Sequence, residues 1–211
     1  MSAGVPWRQV KAKTWFTADL HLDNPLSMGS AGRPFRTVEQ MNETIVAHWN
    51  ERVGTEDTVW VLGGVGGPAV LPRLHGRKIL IAGDSDALFH ANSGGIPEDA
   101  EHFSAVVTGS GIQRRTGRAV RVPLLGGPPF GHHVVLVSHF TYREPRSPRG
   151  PFADYQPTPP AKGPRPWLLH GRAEWAVDPA GRQINVGMDA WDFAPVGADE
   201  VAALIKDFNG E

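Results

Sequence analysis

The sequence predicts an α/β fold, and three observations predict it. Short apolar runs recur along the chain, spaced widely enough for helices or long loops between them. Two segments, near residues 37–53 and at the C-terminal end, carry apolar residues at helical spacing. Successive apolar runs stop on polar residues, as strands of an open α/β sheet do where they meet a ligand. With 211 residues the chain is long enough to bury a sizeable core, and one domain spanning 1–211 is expected.

Residues 13–18 (KTWFTA) predict a strand that ends at Asp19. Residues 37–53 read as a helix. Thr37 and Gln40 stand at capping-box spacing, and Val38, Met41, Ile45 and Trp49 share one face. Residues 58–62 predict a second strand, which runs off its end into bare glycine as WVLGGVGG. Residues 68–74 have room for a short helix only, because Pro72 interrupts it. Residues 78–82 (KILIA) predict a buried strand ending at Gly83 and Asp84. Residues 104–124 alternate weakly around Gly-Ser-Gly and Thr-Gly-Arg, which predicts antiparallel strands. Residues 133–137 (HVVLV) predict a strand ending at Ser138 and His139, and residues 167–169 a short one ending at His170. Residues 176–178 and 183–186 flank Pro-Ala-Gly as a hairpin. Val201, Leu204, Ile205 and Phe208 share one face of a closing helix. Residues 145–166 are too proline-rich for a regular element. They read as a solvated surface excursion, with a lid or a partner-binding arm as the alternatives.

The composition narrows the function classes. The formal charge is −1, which gives no general pull toward nucleic acid or acidic membranes, so nucleic acid is not indicated as a partner. Arg114, Arg115, Arg118 and Arg121 nevertheless form a local basic hairpin, read as a solvated face or a polyanion contact. There is no cysteine, so any metal would be held by His, Asp, Glu, Asn or water. The first 15 residues lack the apolar core of a signal peptide, and no run approaches a membrane span. A soluble cytoplasmic protein is expected.

The polar strand ends are Asp19 with His21, Asp84 with Asp86, His139, and His170 with Glu174. Each taken singly is an ordinary turn residue. As an ordered set they predict a shared site, and oxygen with imidazole ligands suits Mn²⁺, Fe or Zn²⁺. A competing pattern is Gly64-x-Gly66-x-x-Ala69 after a strand, with Asp84 about 20 residues on, the spacing of a dinucleotide site. It fails because the following helix would contain Pro68 and Pro72. Trp191 and Phe193 are expected to pack the core beneath the C-terminal helix, with stacking on a base as the alternative.

The motif order is Asp-x-His, Gly-Gly, Gly-Asp-Ser-Asp, Ser-His, then His-Gly-x-x-x. It resembles the calcineurin-like metallophosphoesterases, and their small stand-alone bacterial members above all. RPFRTVEQMNETIVAHWN, LPRLHGRKILIAGD and NVGMDAWDFAPV agree with that subfamily outside its ligands. The likeness runs from about Trp15 to Phe208. It implies an α+β arrangement, a two-sheet β-sandwich flanked by helices, with a metal site at the strand ends.

Carried over position by position, the resemblance implies a damaged site. Asp19 and His21 match ligands of the first metal. The carboxylate that bridges both metals would stand at Gly64. Asp84 takes the place of an asparagine ligand, Ser85 that of the histidine that assists the leaving group, and Asp86 keeps the last acid of that motif. His139 matches a ligand of the second metal. Arg172 and Glu174 stand where one histidine would serve each metal, and His170 precedes that motif. Asp23 is a candidate replacement for the bridge. Arg172 either pairs with Asp84, sealing an empty site, or holds a phosphate.

A two-metal site makes its hydroxide nucleophile between cations held about 3.5–4 Å apart. Glycine offers no side-chain ligand, and losing an acid catalyst costs about 10²–10⁴-fold. The sequence therefore predicts a metallophosphoesterase-like protein with most dinuclear-site ligands lost and catalysis impaired or absent. A binding or regulatory role follows, toward a protein partner or a phosphate-containing small molecule. The alternative is an active single-metal phosphomonoesterase or phosphodiesterase using Asp19, His21 and Glu174, with Arg172 on the phosphate. Either reading implies no metal or one divalent ion (Mn, Fe or Zn), not two.

Overall fold

The computed structural model describes residues 12–30, 32–89, 98–113, 118–125, 132–144, 149–171 and 176–210. Two five-stranded sheets face each other. The first runs β10-β1-β2-β3-β4, with β1 (Thr14–Thr17), β2 (Thr58–Val61), β3 (Arg77–Ile81) and β4 (Ala105–Val107) parallel. β10 (Val196–Gly197) is antiparallel to β1. The second runs β5-β6-β7-β9-β8. In it β6 (His132–Val137), β7 (Leu168–His170) and β9 (Gln183–Asn185) are parallel. β5 (Val120–Leu125) and β8 (Val177–Asp178) close its edges antiparallel. This is the expected α+β sandwich.

Alternation along the central strands feeds two cores. Trp15, Val59, Val61 and Leu80 face the helix α2 (Val38–Arg52), whose Met41, Ile45 and Trp49 are buried against them. Phe16, Leu62 and Ile81 face the other way, onto Val122, Leu124, Val135, Val137, Leu169 and Ile184 of the second sheet. The closing helix α4 (Ala198–Asn209) adds Val201, Ala202 and Ile205 to that core. Phe208, expected on the same buried face, stays 45% exposed and meets only the edge of the core, its ring 6.1 Å from Trp167.

Local chemistry sets the element ends. The Thr37 hydroxyl accepts the Gln40 N–H at 3.1 Å, and Gln40 Oε1 reaches back to the Arg36 N–H, so the capping box closes one residue early. Pro68–Arg73 winds as a 3₁₀ helix, which admits Pro72 without an α-helical hydrogen bond to lose. The expected antiparallel pair within 104–124 does not form. β4 joins the first sheet beside β3, Gly-Ser-Gly opens the short helix α3 (Gly109–Gln113), and β5 joins the second sheet. Weak alternation marked two strands correctly, but the chain crosses between sheets instead of turning back. The turn residues 114–117 lie outside the described segments.

The segment 149–166 is a solvated excursion only in part: residues 152–157 pack on the body, while 158–164 stay largely exposed. Phe152 stacks on Phe140 at 5.7 Å, Tyr155 lies 4.6 Å from Phe89, and Ala153 and Pro157 are buried. Trp191 and Phe193 part company. Trp191 packs on the second core and donates Nε1–H to the Asn185 carbonyl, whereas Phe193 packs on the first core against Phe35. Among the described residues, no helix is long and apolar enough to cross a membrane.

Asp57 ties the entry of the first sheet. Its carboxylate accepts the backbone N–H of Lys13 at 2.7 Å and of Gly54 at 2.9 Å, and the Trp15 Nε1–H at 2.8 Å. Removing it strands a buried indole donor. Asp57→Ala is expected to cost about 2–4 kcal/mol, read as a lower urea midpoint with unchanged m-value.

Candidate functional site

The parallel strands β1, β2, β3, β6, β7 and β9 deliver their C-terminal ends to one edge, where the two sheets meet. An isolated bridge between Ala18 and Gly187 ties the end of β1 to the exit of β9. At this edge the segment after β1 runs beside the glycine segment after β2. Asp19 N–H donates to the Gly63 carbonyl at 2.9 Å, His21 N–H to Gly64 at 2.8 Å, and Leu22 N–H to Val65 at 3.0 Å. Gly67 N–H returns to the Leu22 carbonyl at 2.6 Å.

The glycines of WVLGGVGG are explained by this approach. A Cβ at Gly66 would run into the Leu22 backbone, and one at Gly67 would lie 2.7 Å from the Asp23 Cβ. A Cβ at Gly64 would lie 2.6 Å from Asp19 Oδ1 and 2.8 Å from Asp19 Cα. Gly171 and Gly187 approach the other oxygen equally closely, with Cβ positions 2.7 and 3.2 Å from Asp19 Oδ2. Three glycines thus wall the Asp19 carboxylate. Gly63 and Gly83 do the same for the His139 ring, which fills the space their side chains would need.

The segment opposite carries the strain. Asp19, His21 and Asp23 all hold positive φ, at 54°, 50° and 56°, where non-glycine residues are disfavoured. The buried Arg33 holds it in place, donating to the carbonyls of Asp19 and Leu20 while its guanidinium is gripped by Asp189 at 2.8 Å through both carboxylate oxygens. Sequence reading passed over Arg33. The one signal was its place in RPFRTVEQMNETIVAHWN, and nothing there says that it faces Asp189, 156 residues away.

The predicted ligands separate into pairs. Asp19 and His21 lie side by side, Oδ1 to Nε2 3.9 Å. Burial is the largest influence on His21 and holds its pKa below the ordinary value, against the pull of Asp19. His139 is buried in its glycine slot, with Nδ1 2.7 Å from the Leu62 carbonyl and Nε2 3.0 Å from Asp84 Oδ1. Burial acts most strongly on His139 and opposes its charge, but the bond to Asp84, the charge of Asp19 and the Leu62 carbonyl outweigh it and raise the pKa. Arg172 and Glu174, and with them the expected Arg172–Asp84 pair, lie outside the described residues.

Two candidates serve the scaffold. Asp86 accepts the N–H groups of Gly64 at 3.1 Å, Val65 at 2.8 Å and Gly83 at 2.7 Å, so its carboxylate pins the glycine segment to the end of β3. Asp23 does not reach toward Asp19. Its Oδ1 accepts from Asn42 Nδ2 at 2.6 Å, beside a cavity of about 350 Å³ that Ser85 also lines. His170 is buried at the end of β7 with Nδ1 against the Gly171 carbonyl, and burial pushes its pKa down to about 4. Of the remaining histidines, His48 Nδ1 lies 2.7 Å from the Asp192 carbonyl and His75 Nδ1 3.2 Å from that of Val53.

Among the described residues no three His, Asp or Glu side chains gather in a form able to hold a metal ion. The space a bridging carboxylate would enter from residue 64 is taken by Asp19 itself.

Comparisons with known proteins agree with the fold. No protein-family profile matches the chain. A solved structure of a protein of unknown function from Aquifex aeolicus superposes with a TM-score of 0.60 over 92% of this chain and 100% of its own, at 18% identity, a likeness of fold alone. The Gene 66 protein of Mycobacterium phage D29 is 30% identical over 212 residues, 93% of this chain and 97% of that protein. The Gene 66 protein of Mycobacterium phage L5 is 29% identical over 213 residues, 95% of this chain and 97% of that protein. An uncharacterized protein of Methanocaldococcus jannaschii matches 82 residues at 29% identity, 35% of this chain and 47% of that protein. The chain belongs to the family of these phage Gene 66 proteins.

Two outcomes follow from the geometry. Gly64→Ala is expected to destabilise by about 1–3 kcal/mol. Gly64→Asp, which puts a carboxylate against Asp19, is expected to be no milder, and chemical denaturation of both variants measures it. For His170 the unfolded chain takes up a proton near pH 6.5 while the folded chain resists until about 4. Its contribution to stability is full above pH 6.5 and falls as pH drops toward 4. Urea midpoints between pH 7 and 4 should therefore decline, and His170→Asn should flatten that decline.

Proposed function

We propose that this chain is a metallophosphoesterase-like protein that no longer runs two-metal hydrolysis and acts by binding, toward a protein partner or a phosphate-containing small molecule. The contact between the residue 64 backbone and Asp19 carries this reading. A bridging ligand there would displace the Asp19 carboxylate from its glycine-walled niche. Ser85, at the position of the leaving-group histidine, is exposed on the rim of the neighbouring cavity and has no imidazole to replace the lost acid. Asp84 and His139 satisfy each other as a hydrogen-bonded pair, the arrangement of a site stable without a cation between them.

The proximity of Asp19 and His21 favours one competing reading. These side chains offer two adjacent donors, and Glu174 as a third would make a one-metal hydrolase with Arg172 on the phosphate.

Metal content after Mn²⁺ loading and desalting, measured together with hydrolysis of bis(p-nitrophenyl) phosphate, separates the readings. The proposal expects well under one metal per chain and no hydrolysis above background. One metal per chain, with hydrolysis abolished by Glu174→Ala, would establish the single-metal enzyme. Two metals per chain would overturn both readings.

A further inference from the structure

Four arginines from separate parts of the sequence lie on the second sheet, near its strand ends, or on the segment docked beside the strand-end site. Arg118 precedes β5, Arg121 lies exposed on β5, Arg143 follows β6, and Arg149 belongs to the docked proline-rich segment. Three of them meet residues 153–157 of that segment, two by side chain and one by backbone. Arg118 Nη1 donates to the Ala153 carbonyl at 3.4 Å, the backbone N–H of Arg143 donates to the Pro157 carbonyl at 2.8 Å, and Arg149 Nη2 pairs with Asp154 Oδ1 at 2.7 Å. Among the described residues, Asp154 is the carboxylate paired with this group. Its pKa is lowered first by the Arg149 hydrogen bond and charge, then, after a small opposing effect of burial, by the charges of Arg118 and Arg143. The nearby Arg165 is already matched by Glu144 at 3.0 Å. Arg149 and Asp154 remain open to solvent, their side chains 67% and 53% exposed. A chain whose formal charge is −1 therefore carries a local surplus of positive charge on this face.

We propose that this face docks a phosphodiester polyanion, a single strand of nucleic acid, and that Asp154 holds the place of a backbone phosphate while the face is empty. Guanidinium forks match phosphate oxygens in pairs. Arg121 and Arg149 are exposed and Arg118 and Arg143 half-buried, a spread that suits a polymer. An acidic protein partner would need an apolar anchor at the centre of its interface, whereas a phosphate backbone binds through charge alone. Asp154 is the informative residue. It competes with the ligand for the same guanidinium groups, so its removal strengthens binding. The inference is independent of whether the strand-end site holds a metal.

Fluorescence anisotropy of the full chain with a labelled 20-nucleotide single-stranded DNA tests it. Binding is expected at low salt and should weaken as salt rises, with a log–log slope of about −3 when four arginines engage. Arg118→Ala/Arg143→Ala/Arg149→Ala should lose at least about tenfold in affinity and most of that slope. Asp154→Asn should bind about threefold or more tighter at the same salt, a gain that misfolding cannot mimic. Arg73→Ala, which removes a guanidinium paired with Glu43 elsewhere on the surface, should bind like the unaltered chain. Absence of binding at low salt, an unchanged triple variant, a weaker Asp154→Asn, or equal competition by poly-glutamate would each overturn the proposal.

Discussion

The approach of two backbones governs the functional edge of this protein. The segment after β1 passes the segment after β2 at hydrogen-bonding distance, from Asp19 opposite Gly63 to Leu22 opposite Gly66. That spacing leaves no room for side chains on the glycine side. It is maintained from both flanks, by Asp86 gripping the N–H groups of the glycine segment and by Arg33 gripping the carbonyls of the other. The three left-handed residues Asp19, His21 and Asp23 persist because these partners over-determine the backbone.

The same constraint shapes the chemistry. Glycine at 64 lets the two backbones close on Asp19, and the neighbouring residues pack around that approach. Asp19 lies against glycine on three sides, and His139 fills the slot between Gly63 and Gly83 while holding Asp84. The site is a packed arrangement of candidate ligands, with His139 and Asp84 hydrogen-bonded to each other. The docked segment 149–157 extends it, since Phe152 and Tyr155 pack on Phe140 and Phe89, and Phe140 lies edge-on to His139.

Particular residues show what was legible beforehand. Thr37 with Gln40, and Met41, Ile45 and Trp49 on one face, placed α2 to within a residue, because capping and helical periodicity are local. The polar residues that follow the strands were legible for the same reason. The hydrogen bonds of Asp86 were not legible, since its partners at Gly64 and Val65 are 22 and 21 residues away and are backbone groups that leave no mark in a sequence. The pairing within 104–124 failed because alternation identifies a strand without identifying its neighbour.

By itself the sequence determined the class of fold, most of its elements and which residue types reach the strand ends, all properties of periodicity and local turn chemistry. Only the tertiary structure decided which of those residues meet. It set Asp84 against His139, 55 residues apart, Arg33 against Asp189, and Arg118 and Arg149 on one turn of the proline-rich segment. The glycines of WVLGGVGG mark the boundary between the two. Their identity is written in the chain, but the reason for it is a second backbone, and the path of that backbone is settled only when both sheets have packed.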